Sequence, residues 1–136
     1  MSESNKALVR RYIEEVLNAG AYHRMEEFVA AEYVNRTYGT RGPEGYRQNH
    51  LRWRAGVPDL HIAIEDMVAE DDVVAIHMIW TGTHLGEFRG IAPTGRRATW
   101  ASTQFRRVAR GMVVEGWGVT DYWRVLEQLG AAPAWR

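Results

Sequence analysis

Residues 73–84 read VVAIHMIWTGTH. Such a run of β-branched and aromatic residues with no proline is a long strand, with Ile76, Met78, Trp80, Gly82 and His84 on one face and His77 on the other. It decides the fold because the same alternation surrounds it. Upstream, Leu60, Ile62 and Ile64 alternate with His61, Ala63 and Glu65, and Glu70-Asp71-Asp72 supplies the turn. Downstream, residues 96–108 (RRATWASTQFRRV) form a third strand and 112–120 a fourth, joined at Arg110-Gly111, a hairpin-turn pair.

The first half of the chain has a different period. Leu8, Tyr12, Val16 and Ala19 recur at spacings of three and four, with Ile13 and Leu17 beside them, so a helix capped at Ser4 ends at Gly20. A shorter helix is expected over 22–30, with Met25, Phe28 and Val29 on one side, and 33–38 reads as a short extended piece. Gly42-Pro43-Glu44 opens a third helix carrying Tyr46, Asn49, His50 and Trp53, which Gly56-Val57-Pro58-Asp59 stops. Residues 121–129 read as a closing helical turn or two, and 130–136 as a loose end. Helices first and an antiparallel meander afterwards give an α+β fold, three N-terminal helices packed on one face of a curved sheet. Such a sheet encloses a cone, a natural ligand pocket.

Composition narrows the function. The 136 residues suit one domain spanning 1–136. Lys plus Arg and Asp plus Glu are 17 each, so the basic excess that nucleic acid or an anionic membrane surface requires is missing. No cysteine is present, which removes disulfides, thiolate nucleophiles and Cys-ligated metals. No apolar run approaches the ~18 residues of a membrane span, and the polar start MSESNKALVRR does not read as a signal peptide; the expected location is the cytoplasm. Six Trp and six Tyr exceed the needs of a small core and suit a pocket for flat apolar ligands.

Several side chains are candidates for chemistry. Asp121 follows the last strand; counting by two places it with Trp117, Val119, Glu115 and Val113. On a pocket-facing strand its carboxylate would be desolvated and suited to proton transfer; as the residue before a helix it would instead be an N-cap. His84 is in phase with Trp80 and points to the cone mouth, and His50 can face inward from the third helix. The five histidines show no metal-ligand spacing, so no metal is expected. Gln104 shares a face with Trp100 and Ser102. Arg106, Arg107 and Arg110 read as a solvated strand end and turn. There is no Gly-rich phosphate loop and no Gly-x-Ser-x-Gly elbow.

The stretch TGTHLGEFRGIAPTG at 81–95, the segment GMVVEGWGVTD at 111–121 and the terminal Leu-Glu-Gln-Leu-Gly, together with GPEGYRQ at 42–48, Val-Pro-Asp at 57–59 and EDMVAEDDVVAIHMIWTGTH, resemble the SnoaL-like polyketide cyclases, or ester cyclases, over nearly the whole chain. The resemblance implies the cone-shaped NTF2-like fold and a homodimer or higher homo-oligomer, with His77, Arg106 and Trp135 as possible contact residues. It also implies cofactor-free closure of a polyketide ring by intramolecular aldol chemistry on a polycyclic or aromatic substrate. Asp121 falls on the family's acid/base position. The family pairs that Asp with a His on the preceding strand, which here has none; Gln104 stands there, able to donate a hydrogen bond but not to shuttle a proton, and His84 or His50 would supply the imidazole from elsewhere. Walls of Tyr12, Tyr33, Tyr46, Trp53, Trp80, Trp100 and Trp117, with Asn49 and His50, would enclose a dry pocket of roughly 300–1,000 Å³. Similar proteins hydroxylate rings, open epoxides to cyclic ethers or isomerise ketosteroids, and a non-catalytic binding or dimerisation module is a further possibility.

Overall fold

The computed structural model describes residues 2–132. Helix α1 (Ser2–Tyr12) buries Val9 and Tyr12 and runs on into a wider π-helical turn, Ile13–Asn18, which buries Ile13, Val16 and Leu17. Gly20, with φ 67°, ends it in the left-handed conformation that glycine adopts without penalty. Helix α2 (Gly42–Gly56) has Pro in its first turn and buries Tyr46, His50 and Trp53, the spacing of one helical face. Helix α3 (Tyr122–Gln128) closes the described chain.

The strands are β1 (Val29–Asn35), β2 (Thr40–Arg41), β3 (His61–Glu70), β4 (Val73–Thr83), β5 (Arg97–Ala109) and β6 (Met112–Thr120). They form one sheet in the order β2-β1-β6-β5-β4-β3. The four long strands are the antiparallel meander read from sequence. Two features differ. The helix expected over 22–30 is a 3-10 segment, Tyr22–Glu27, and the chain is extended from Val29 onward. Pairing with β6 outweighs the local helical pattern there: the Val113 N–H donates to the Phe28 carbonyl at 2.7 Å. The β1–β6 pair is also parallel, so the sheet is mixed rather than wholly antiparallel.

The inner face carries the core. Along β4 the buried positions are Val74, Ile76, Met78, Trp80 and Gly82, and along β5 Ala98, Trp100, Ser102, Arg106 and Val108. Gly82 has to be glycine, because a Cβ would run into Val57 just past the end of α2. The β5–β6 ladder carries a bulge: Arg107 pairs with Glu115 but Val108 pairs with Val113, leaving Val114 as the extra residue. A bulge reverses the in–out phase beyond it. Val113 is therefore buried, and so is Gly116, while Trp117 and Val119 turn outward and Val119 is 74% exposed.

Candidate active site

A cavity of about 160 Å³ opens between α1, α2 and the inner face of β4–β6. Val9, Ile13, Ile76 and Met78 make its apolar part, while Tyr12, Tyr46, Asn49, His50, Trp53, Trp80 and Gln104 are the sequence-predicted residues that converge on it. It is smaller than the pocket expected, because aromatic rings fill the cone. Trp53 stacks on Trp100 at 5.1 Å and on Phe88 at 4.8 Å, and Trp80 lies 5.4 Å from Trp53. Trp100 and Tyr33 are fully buried behind the cavity wall rather than on it.

The residue that sequence reasoning missed is Arg106. It is only 7% exposed and faces inward with Trp100 and Ser102. Its Nη2 donates to the Tyr46 hydroxyl at 3.0 Å and its Nη1 to the Phe105 carbonyl at 2.9 Å and Gln104 Oε1 at 3.5 Å. Among the described residues, no carboxylate lies within ion-pair distance of it, whereas Arg107 next door is matched by both Asp72 and Glu115. A guanidinium does not shed its proton, so this charge is buried and uncompensated. The signal was available: Arg106 has the parity of Trp100 and Gln104, but its place in an Arg-rich segment suggested solvent.

Around it stand hydroxyls and an imidazole. Burial raises the Tyr33 phenol to about 12 and also pushes the Tyr12 phenol well above its ordinary value, so both stay neutral. Among the described residues, neither the Tyr12 hydroxyl nor His50 Nδ1 has a hydrogen-bond partner. His50 lies between the rings of Tyr46, at 5.3 Å, and Trp80, at 5.6 Å. Burial, reinforced by the charges of Arg106 and Arg54, lowers its pKa to about 3, so the imidazole is neutral. Gln104 Nε2 donates to Ser102 Oγ at 2.8 Å and to Thr120 Oγ1 at 3.5 Å.

Besides Trp100 and Tyr33, three more expected site residues lie off the cavity. Asp121 is exposed; its Oδ1 accepts the Arg124 N–H at 3.0 Å, as the N-cap of α3, and the last inward side chain of β6 is Thr120. Trp117 shares its face, as the count by two requires, but the bulge at Val114 makes that the outer face. There Trp117 stacks on Phe105 at 5.5 Å beneath the Arg36 guanidinium. His84 is buried under the loop that follows β4, where Nδ1 accepts the Thr94 N–H at 3.2 Å, and does not reach the cavity. Of the expected contact residues, His77 bonds Thr103 Oγ1 on the outer face, Arg106 is internal, and Trp135 lies outside the described residues.

The mouth is built by Tyr38, Arg52 and Arg89. Arg89 has φ 50° in a tight turn closed by reciprocal Phe88–Ile91 hydrogen bonds, and its guanidinium lies 4.4 Å over the Tyr122 ring. Tyr122 also stacks on Trp53, and its hydroxyl meets that of Tyr38 at 3.2 Å. Among the described residues, no group of three His, Cys, Asp or Glu side chains is placed to hold a metal, and no helix is long and apolar enough to cross a membrane.

The family model for SnoaL-like polyketide cyclases matches residues 7–129. The chain belongs to the SnoaL-like polyketide cyclase family. The chain is 28% identical over 130 residues to aklanonic acid methyl ester cyclase AcmA of Streptomyces galilaeus, covering 91% of this chain and 89% of that one. Among solved structures it is similar to AclR of the same organism, provisionally assigned as a hydroxylase, at 26% identity and a TM-score of 0.89, covering 100% of this chain and 87% of AclR. It is also similar to TsrD of Streptomyces laurentii, at 27% identity and a TM-score of 0.85, covering 95% and 96% of the two chains. SnoaL-like membership and these neighbours establish the NTF2-like α+β fold and support a cyclase role on a small substrate.

Proposed function

We propose that this protein closes a ring by acid/base chemistry on a small polyketide-type substrate whose methylene lies between two carbonyls. The observation that carries this reading is the uncompensated Arg106 guanidinium beside the Tyr46 hydroxyl, both on the cavity wall. Loss of a methylene proton places negative charge on a carbonyl oxygen. A buried cation and an O–H donor set in advance against that oxygen stabilise the enolate without reorganising.

The neutral His50 takes the proton in this reading. Its pKa is low, but an enolate alongside sets attraction against the repulsion by Arg106 and raises it as the proton moves. The enolate carbon then attacks a second carbonyl of the same molecule. The new C–C bond forms as the C=O π bond becomes an alkoxide, and the His50 proton returns to that oxygen. Asn49 and Gln104 orient the carbonyls, and apposition of the two reacting carbons supplies a further part of the rate. Asp121, on the family's acid/base position, acts in this reading through α3. Aklanonic acid methyl ester, named in the AcmA relative, indicates the substrate type: a methyl ester.

Proton exchange tests the reading without the natural substrate. The protein should catalyse deuterium uptake from D2O at the methylene of an aryl 3-oxo ester, and Arg106→Gln should slow it by about 10²–10³-fold, the range for loss of one oxyanion donor. No protein-dependent exchange, or an unchanged rate in the variant, overturns it. Oxygen consumption during turnover would move the chain to hydroxylation.

A further inference from the structure

Among the described residues, three arginines line the cavity, Arg52, Arg89 and Arg106, and no acidic residue does. Elsewhere arginines such as Arg24, Arg47 and Arg107 are matched by carboxylates within 4.0 Å. Arg110 gives a sharp contrast. It has the same left-handed backbone as Arg89, at the same place before a glycine in a tight turn, and Glu32 holds its guanidinium. Among the described residues Arg89 has no ion-pair partner; its guanidinium is laid instead over Tyr122 at the mouth. Arg52, from α2, lines the same opening and has none either.

We propose that Arg89 and Arg52 form an anion-recognition site at the mouth that takes a carboxylate carried on the aromatic end of the ligand, remote from the atoms that meet Arg106. Size supports this. A cavity of about 160 Å³ holds the reacting end of a multi-ring ligand, so the rest projects through the mouth, past Arg52 and Arg89. Charge selects the class of anion. Glu87 lines the adjoining groove together with Arg52 and Arg89, leaving one net positive charge, which suits a monoanionic carboxylate better than a dianionic phosphate. A guanidinium fork also matches the two oxygens of a carboxylate. The inference rests on the cavity being the reaction chamber but is read by binding alone, so loss of exchange activity and loss of acid preference are separate results.

The test is quenching of tryptophan fluorescence by anthraquinone-2-carboxylate and by its methyl ester, at low and at 0.3 M salt. Wild type should bind the acid about tenfold more tightly than the ester, with the preference shrinking as salt rises. Arg89→Gln should reduce the preference to within about twofold while ester binding stays put, Arg89→Lys should keep most of it, and Arg10→Gln on α1 should leave it intact. Equal affinity for acid and ester in wild type, no saturable quenching by either, or a preference that survives Arg89→Gln and Arg52→Gln but is lost in Arg106→Gln, would each overturn the proposal.

Discussion

The Arg106 guanidinium and the Tyr46 hydroxyl meet at 3.0 Å on the cavity wall, a cation from the middle of a strand against a phenol from a helix sixty residues away. The contact carries no countercharge. Replacing Arg106 by Met should therefore separate function from stability. Exchange or ring closure should fall by about 10²–10³-fold. Stability should hold or rise, because a buried charge without a partner is costly and an apolar chain of similar reach is not. Arg106→Lys should not restore activity, since a point charge cannot serve Tyr46 and Gln104 together. Kinetics beside urea melts of the three proteins check this; a large loss of stability in the Met variant would mean that the cation is structural.

His50 makes stability depend on pH. Its pKa is about 6.5 in the unfolded chain and about 3 in the fold, lowered by burial and by Arg106 and Arg54. Between those values the unfolded chain binds the extra proton, so stability is full above about pH 6.5 and is lost as pH falls toward 3. The slope should approach about 1.4 kcal/mol per pH unit for this residue. Urea midpoints from pH 7 to 4 should flatten in His50→Gln relative to wild type; parallel curves would show that His50 is solvated and protonates freely.

At Asp121, the cap and the acid/base role predict different variants. Asp121→Asn keeps a favoured N-cap, whereas Asp121→Ala should cost about 1 kcal/mol. If the carboxylate serves only α3, the Asn variant should keep its rate to within a few-fold and the Ala variant should lose stability first. A fall of 10² or more in the Asn variant, with its melting curve unchanged, would return proton transfer to Asp121.

These contrasts also show how far the sequence could be read. The meander, α2 and the convergence of Tyr12, Tyr46, Asn49, His50, Trp53, Trp80 and Gln104 follow from local periodicity, because each strand or helix carries its own apolar face. The β1–β6 pairing does not, since it joins residues about eighty positions apart and competes with a helical pattern over 22–30. Alternation puts Asp121 and Trp117 on a common face, as found, but does not say that this is the outer face of the sheet. One extra residue, Val114, makes the difference, and an alternation pattern does not announce a bulge. Arg106 was hidden by its neighbours rather than by its spacing.

Gly116 offers the sharpest test of how tightly the cation is held. Its φ is not in the left-handed region, so backbone freedom is not why it is glycine. A Cβ there would overlap the Tyr33 hydroxyl and stand 2.8 Å from Arg106 Nη1. Gly116→Ala should cost about 1–3 kcal/mol by overpacking. It should also lower activity further than that loss explains, because Arg106 is displaced from Tyr46. Removing one of the two obstacles should relieve part of both: Tyr33→Phe in the Gly116→Ala background should recover stability and rate, although Tyr33→Phe alone gains neither. A double-mutant cycle read by thermal melts and exchange rates measures that coupling. Simple additivity of the two substitutions would show that the hydroxyl, Gly116 and Arg106 are not packed against one another.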